Sequence, residues 1–145
     1  MPNHMEYTGE RMVPQGADEC IFWEHVERYR FASQFVRGKR VLDIASGEGY
    51  GGAAMLAAGA KSLIGVDISR EAVSHARECY GIDARVGSAE EIPLADASID
   101  VLISFETIEH VPKPDLFLDE CLRVLSPGGL LVTLCAVVAT ASSAT

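Results

Sequence analysis

The sequence predicts an α/β fold, in which helices connect the strands of a mainly parallel sheet. Short apolar runs alternate with segments whose apolar residues recur at helical spacing, and this alternation is typical of βαβ units. A glycine-rich stretch directly follows the first apolar run, where a strand would turn into a helix. The chain has 145 residues, of which 48% are hydrophobic, so it is sized for one domain with a substantial core.

This pattern places five strands and four helices along the chain. The predicted strands are Arg40–Ala45, Ser62–Asp67, Ala84–Ser88, Asp100–Glu106 and Leu130–Ala139. The predicted helices are Phe22–Val36, Ala53–Ala58, Arg70–Tyr80 and the segment KPDLFLDECLRVLS, with Asp115 as its N-cap and Pro127–Gly129 as its stop. We divide the chain into an N-terminal segment on the substrate side (1–38), a ligand-binding core (39–139) and a tail (140–145).

The charge distribution indicates which classes of ligand the chain is expected to bind. The net charge is −9, and residues 41–145 carry the whole excess, with six basic and fifteen acidic side chains. Because a nucleic-acid site needs a basic surface, we expect no nucleic-acid partner. A cationic or neutral small ligand fits better, although solubility alone is an alternative reason for the charge.

Membrane and metal sites are not expected either. The longest apolar run without charge, Gly128–Ala141, is too short and too rich in small residues for a membrane span. The N-terminal residues lack the apolar region of a signal peptide, so a cytoplasmic location is expected. The four cysteines are scattered, with no histidine at ligand spacing, which argues against a metal.

The loop after the first predicted strand carries the main functional signal. In the stretch SGEGYGG, Gly47, Gly49 and Gly52 satisfy the pattern G-x-G-x-x-G, and Asp67 ends the second strand 20 residues after Gly47. A carboxylate at that spacing suits the hydroxyls of a ribose. Taken alone, this match indicates a nicotinamide dinucleotide.

Asp43 argues for a different ligand. Taken as ionised, it lies two residues before the loop turns, and it would repel a diphosphate there. It would attract a cofactor with an ammonium group and no phosphate, and S-adenosylmethionine has those features. The alternatives are that Asp43 caps the loop amides and that Asp67 is the N-cap of the following helix.

Four segments in order then carry a family resemblance. VLDIASGEGYG, LIGVDIS, ARVGSAEEIPLADASIDVLISFETIEHV and LDECLRVLSPGGLLVTL together resemble the class I S-adenosylmethionine-dependent methyltransferases, over about Lys39 to Leu134. The similarity is to the bacterial small-molecule and glycan-pathway type, the type 11-like methyltransferases. It implies a Rossmann-like doubly wound sheet with strand order 3-2-1-4-5. It also implies methyl transfer from S-adenosylmethionine to a small-molecule or glycan-linked acceptor, with S-adenosylhomocysteine as the product.

The resemblance also implies roles for individual residues. Asp43 would contact the methionyl amino group, Asp67 the ribose hydroxyls, and Ile68 one face of the adenine. Ala89 would offer its N–H to the adenine ring, and Phe105 would lie beside the methionine portion. The remaining residues implied at the cofactor are Ala45, Ser46, Gly47, Gly49 and Ser88. Ile68 and Phe105 are alternatively core side chains.

Two positions depart from the family pattern. Ala45 stands where glycine is usual, which is tolerable only if its φ stays negative. Ser88 stands where an acidic residue commonly receives the adenine amino group, and its neutral hydroxyl would accept a weaker bond. Glu90, two residues further on, is a possible substitute.

His110 is the candidate general base for a hydroxyl acceptor. Its ordinary pKa lies near neutrality, and it follows the fourth strand within the stretch SFETIEH. The alternatives are that His110 caps a helix end or orients Glu106 or Glu109. A further alternative is that these two glutamates bind a cationic substrate.

The end of the sequence departs from the resemblance. Family members continue into strands 6 and 7, whereas here the fifth strand is followed only by CAVVATASSAT. We expect a truncated or altered chain, or one that dimerises through an exposed fifth strand. The functional alternatives are a non-catalytic cofactor-binding or dimerisation module and an NAD-dependent oxidoreductase.

Overall fold

A computed structural model describes residues 19–134, with side chains from residue 23 onward. Its centre is a five-stranded sheet in the order β3-β2-β1-β4-β5, in which every neighbouring pair is parallel. The strands are β1 (Arg40–Ile44), β2 (Ser62–Asp67), β3 (Asp83–Val86), β4 (Ile99–Phe105) and β5 (Leu125–Leu134). The predicted fold class and strand order are therefore confirmed.

Four helices connect and cover these strands. They are α1 (Glu19–Ala32), α2 (Tyr50–Ala57), α3 (Arg70–Tyr80) and α4 (Pro114–Val124), with a 3-10 turn (Ser33–Phe35) after α1. The bounds of α3 are those predicted, because its caps are local. The Ser69 hydroxyl accepts from the Ala72 amide, and Gly81 ends the helix at a φ of 63°.

The prediction for α4 is wrong at both ends. The N-cap position is Lys113, whose backbone N–H donates to the Glu90 carboxylate at 2.9 Å, so Asp115 falls in the first turn instead. At the other end α4 ends at Val124 and β5 begins at Leu125. Pro127–Gly129 therefore lie within β5 and do not end the helix. Both ends are decided by partners distant in sequence, namely Glu90 and strand β4. Residues 135–139 of the predicted fifth strand lie outside the described part.

The core consists of two apolar layers, one on each face of the sheet. One layer gathers side chains from α1, α2, α3 and alternate strand positions, including Tyr29, Met55 and Phe105. The other gathers Phe117 and Cys121 of α4 with the opposite strand positions. Strand β1 is covered on both faces, since Val41, Leu42, Asp43 and Ile44 are all buried. Asp43 is thus a carboxyl group inside the core.

In the described part of the chain, strand β5 forms one edge of the sheet and is only partly covered. Leu130 and Leu134 are both 41% exposed, and Leu122 on the neighbouring α4 is 74% exposed. Among residues 19–134, no helix is long and apolar enough to cross a membrane.

Candidate functional site

The parallel strands bring the predicted site residues to one edge of the sheet. Asp43 is the penultimate residue of β1, Asp67 is the last residue of β2, and Phe105 is the last residue of β4. Carboxyl ends of parallel strands meet at the same edge, where ligands of open α/β sheets bind. The two carboxyl groups are close enough for Asp67 to influence the titration of Asp43.

Asp43 is held by a residue of the first helix. Its side chain is almost fully buried, with 1% of the residue exposed. The Tyr29 hydroxyl lies 3.1 Å from Oδ2 and 3.4 Å from Oδ1, and its one proton serves only one oxygen at a time. No loop amide of the described residues donates to Asp43, so the alternative of a loop-capping carboxylate is wrong.

The protonation state of Asp43 also differs from the prediction. Its pKa is raised to about 8, chiefly by burial, with the Tyr29 hydrogen bond lowering it and the nearby Asp67 carboxylate raising it. Treating Asp43 as ionised is therefore wrong for this geometry at neutral pH. An ammonium group brought beside it would favour the charged form again.

Asp67 organises the loop that precedes α2. Its Oδ2 accepts the Gly47 N–H at 2.9 Å, and its Oδ1 accepts the Ser69 N–H at 2.8 Å. The N-cap of α3 is Ser69 rather than Asp67, so that alternative is wrong. Each Asp67 oxygen keeps a further lone pair, which is what two adjacent ribose hydroxyls require.

The glycines of the motif have two different structural uses. Gly47 has a φ of 57° and gives its N–H to Asp67. A Cβ on Gly49 would come within 2.8 Å of Cβ of Ala76, and one on Gly52 would come within 2.7 Å of Leu63. Gly49 and Gly52 therefore let α2 pack against α3 and β2, whatever ligand the loop binds.

Ala45 and Ser46 form the turn between β1 and this loop. The φ of Ala45 is 57°, so the condition of a negative angle, under which alanine was expected to be tolerable, is not met. The left-handed turn allows the Ser46 N–H to donate to the Val66 carbonyl at 3.2 Å, and it costs alanine about 1 kcal/mol. The Ser46 hydroxyl is buried and has no hydrogen-bond partner among the described residues.

An apolar side chain, Ile68, follows the end of β2, and a polar turn at residues 88–90 follows β3. Ile68 is 79% exposed, which rules out its alternative as a core residue. The Ser88 hydroxyl accepts the Glu90 N–H at 3.1 Å, while the Glu90 carboxylate is bound to the Lys113 N–H. Glu90 is thus already engaged elsewhere and is a poor substitute for an acid at Ser88. Ala89, between them, is half-buried.

Phe105 packs against the same tyrosine that binds Asp43. The Tyr29 and Phe105 rings meet edge to face, with their centroids 5.2 Å apart. Phe105 belongs to the core layer and is 9% exposed, so it lies at the boundary between core and site.

Sequence reasoning missed a charged cluster that His25 and Arg28 of α1 form with Glu106, the residue after β4. Arg28 Nη1 lies 2.8 Å from Glu106 Oε1, although the N–H does not point at the oxygen, so the contact is an ion pair without hydrogen-bond geometry. His25 Nε2 lies 3.9 Å from Glu106 Oε2. Burial lowers the pKa of His25 and the Arg28 charge lowers it further, while Glu106 partly opposes them. The available signal was the helical spacing of His25, Arg28 and Tyr29, which places them on one face.

His110 takes no part in the ion pairs of this cluster among the described residues. It is exposed on a turn after β4, where its backbone N–H donates to the Thr107 carbonyl. Among the described residues its ring has no hydrogen bond to a helix end, to Glu106 or to Glu109. Glu109 is exposed as well, and Glu106 is already paired with Arg28. Within residues 19–134, no three acidic, cysteine or histidine side chains are arranged to hold a metal ion.

Comparisons with known proteins agree with this arrangement. Residues 42–133 match a family described as a methyltransferase domain. The chain is 40% identical over 134 residues to a Mycolicibacterium smegmatis protein named "Probable S-adenosylmethionine-dependent methyltransferase", covering 91% of this chain and 52% of that relative. It is 36% identical over 133 residues to a Mycobacterium tuberculosis protein of the same description, covering 90% and 48%. The chain thus spans about half the length of the curated relatives it matches.

A solved structure shares the fold. The crystal structure of a protein from Pyrococcus horikoshii superposes with a TM-score of 0.73 at 23% identity, over 88% of this chain and 62% of that one. At that identity the likeness concerns the fold alone.

Proposed function

Because the chain belongs to this family of methyltransferase domains, we propose that it binds S-adenosylmethionine and transfers the methyl group to a small-molecule or glycan-linked acceptor. The observation that carries the proposal is the pair of carboxyl groups at neighbouring strand ends, Asp43 on β1 and Asp67 on β2. The named activity of the mycobacterial relatives supports it.

The residues present fit this cofactor group by group. Asp43 offers a buried carboxyl with unused lone pairs to an ammonium group, and Asp67 offers one lone pair on each oxygen to a ribose diol. The exposed side chain of Ile68 offers an apolar surface to adenine, and Ala89 offers its N–H. Gly47 and Ser46 line the same loop, while Ser88 offers a hydroxyl next to Ala89. The fit with a dinucleotide is worse, since a dinucleotide has no ammonium group to pair with the buried Asp43 carboxyl.

The cofactor, when bound, supplies an already activated methyl group on a sulfonium. The remaining task of the chain is to position two reactants and to exclude water. Phe105 and Tyr29 form an apolar wall at the end of β4 for this purpose. The N-terminal segment (1–38), which contains α1, would form the acceptor side of the site.

For a hydroxyl acceptor, His110 is proposed as the base. Its exposed ring is unengaged among the described residues, so a bound acceptor can reach it. With a phenolic or sugar hydroxyl acceptor that the chain turns over, His110→Ala should lower kcat at least tenfold and leave cofactor affinity unchanged. His25→Ala, which removes a histidine of α1 instead, is the matched control. If His110→Ala retains full turnover, the base assignment is wrong.

The test of the proposed function is calorimetric titration of the 145-residue chain with S-adenosylhomocysteine, with NAD as the control ligand. Saturable binding of the first and no heat with the second support the site. Silence with both ligands contradicts it.

Two further proposals concern catalysis and assembly. A non-catalytic binding module remains the alternative, and it predicts cofactor binding without turnover of any acceptor.

A homodimer through β5 is supported by the exposed Leu130 and Leu134 on an edge strand. Sedimentation of the chain measures it, and Leu134→Lys should then shift a dimer to the monomer. The cytoplasmic location stays a prediction of the sequence.

A further inference from the structure

Tyr29 links the first helix to the deepest polar group of the site. We propose that Tyr29 is a positioning residue, which holds the Asp43 carboxyl for the ammonium group of the cofactor, and that the arrival of this group displaces the carboxyl proton to solvent. The inference rests on the proposed function, since it concerns the same cofactor.

The position of Tyr29 is fixed by the helix beneath it. A Cβ on Gly51 would fall 2.1 Å from Cζ of the tyrosine ring, so the ring lies directly on the backbone of α2. Its other side meets Phe105 edge to face at 5.2 Å. Tyr29 itself is only 8% exposed. A ring confined in this way has few alternative rotamers, so its hydroxyl stays directed at Asp43.

The surroundings of Asp43 explain why a proton is involved. On α1 the group in contact with Asp43 is the Tyr29 hydroxyl, while Arg28 and His25 are paired with Glu106 after β4. On the adjacent strand β2 the neighbour is Asp67, a like charge. A carboxyl that is 1% exposed, with one neutral donor and a nearby carboxylate, favours its protonated form. Only a new cation at the site reverses that preference.

The proposed role makes ligand binding release a proton and depend on pH. A Tyr29 that only stabilised the fold would have neither effect. If the ligand ammonium binds only ionised Asp43, each association below the pKa of about 8 releases one proton. The affinity should then rise nearly tenfold per pH unit between pH 6 and 7.5. A ligand without the ammonium group should show neither effect.

The experiment compares two ligands that share the thioadenosine part and differ in the amino-acid portion, which carries the ammonium and the carboxylate. S-adenosylhomocysteine carries the amino-acid portion, and 5′-methylthioadenosine carries the same adenine and ribose without it. Both are titrated into the full chain at pH 6, 6.75 and 7.5, in buffers of different ionisation enthalpy, so that proton release is read from the heat. Tyr29→Phe keeps the ring and removes the hydroxyl, and Tyr80→Phe on α3 is the matched control.

The expected pattern separates the two ligands. S-adenosylhomocysteine should bind with release of close to one proton at pH 6.75, and 5′-methylthioadenosine with none. Tyr29→Phe should weaken S-adenosylhomocysteine about 3- to 10-fold at pH 7, the range of one hydrogen bond. The midpoint of its pH profile should move to higher pH, because the bond that favours ionised Asp43 is gone. The same variant should leave 5′-methylthioadenosine unchanged, and Tyr80→Phe should change neither ligand.

Failure of the inference is distinct from failure of the function. If both ligands bind but S-adenosylhomocysteine shows no pH dependence and releases no proton, the role assigned to Tyr29 and Asp43 is overturned and the cofactor site stands. An equal loss of both ligands in Tyr29→Phe also overturns it, since that pattern indicates a general structural role. If neither ligand binds to the wild-type chain, the proposed function itself fails.

Discussion

Replacing Asp67 with asparagine tests how one side chain serves both the fold and the ligand. The carboxylate is buried and accepts two backbone N–H bonds, from Gly47 at 2.9 Å and from Ser69 at 2.8 Å. Asparagine keeps one oxygen and turns the other into an NH2 group, which then faces a backbone donor. That donor is left unpaired, at a cost of about 1–3 kcal/mol. The remaining bond loses its charge, at a further cost of about 1 kcal/mol.

The expected loss of unfolding free energy is therefore about 2–4 kcal/mol. A domain of ordinary stability, about 5–15 kcal/mol, survives such a loss and stays folded. Urea unfolding followed by circular dichroism measures it. Asp83→Asn on β3 is the matched control, since its ion pair with Arg85 is exposed and should contribute less than about 1 kcal/mol.

The same Asp67 variant should lose ligand affinity. S-adenosylhomocysteine should bind at least tenfold more weakly, about 1.4 kcal/mol, because the diol loses a charged acceptor. A variant as stable as wild type would falsify the two backbone bonds. Unchanged affinity, measured in the same preparation, would refute the ribose assignment.

Three other changes have defined outcomes. Ala45→Gly should raise the unfolding free energy by about 0.5–1 kcal/mol, because glycine adopts the φ of 57° without strain; a loss in the urea midpoint would contradict this. Gly51→Ala should destabilise by about 1–3 kcal/mol despite the helix propensity of alanine, because its Cβ would lie 2.1 Å from the Tyr29 ring; equal thermal midpoints would show that the ring moves freely. The folded pKa of Asp43 is raised, so the protonated form stabilises the fold, and this stability is lost as pH rises toward about 8. The unfolding free energy should therefore fall between pH 6.5 and 8, by at most about 1.4 kcal/mol per pH unit, and Asp43→Asn should remove this slope.

Elements with local signals were predictable from the sequence. Helix α3 has its N-cap at Ser69 and its stop at Gly81, and both lie within one turn of the helix they bound. Strand β2 has its predicted bounds because a short apolar run between polar turns defines it. The prediction for the start of α4 was wrong because the N-cap is Lys113, whose N–H donates to Glu90, a residue 23 positions earlier in the chain.

The candidate site was predictable only in part. Asp43 and Asp67 were found because each ends or nearly ends an apolar run, and parallel strands bring such ends together. His25 and Arg28 were missed because nothing in their spacing indicates that α1 lies over the end of β4. Their partner Glu106 is identified only when the two elements are packed. The roles of the cofactor residues and of His110 stay predictions.

By itself the sequence determined the alternation of strands and helices, the strand order implied by the family resemblance, and the two acidic strand ends. The alternation and the two acidic strand ends depend on periodicity and spacing, which are properties of the chain as written, whereas the strand order was implied by the family resemblance. Only the tertiary structure decided the state of Asp43, because a pKa depends on burial and on neighbours such as Tyr29 and Asp67. It likewise decided which glycines are needed for packing, namely Gly49, Gly51 and Gly52, since the absence of a Cβ matters only where another element packs against that position.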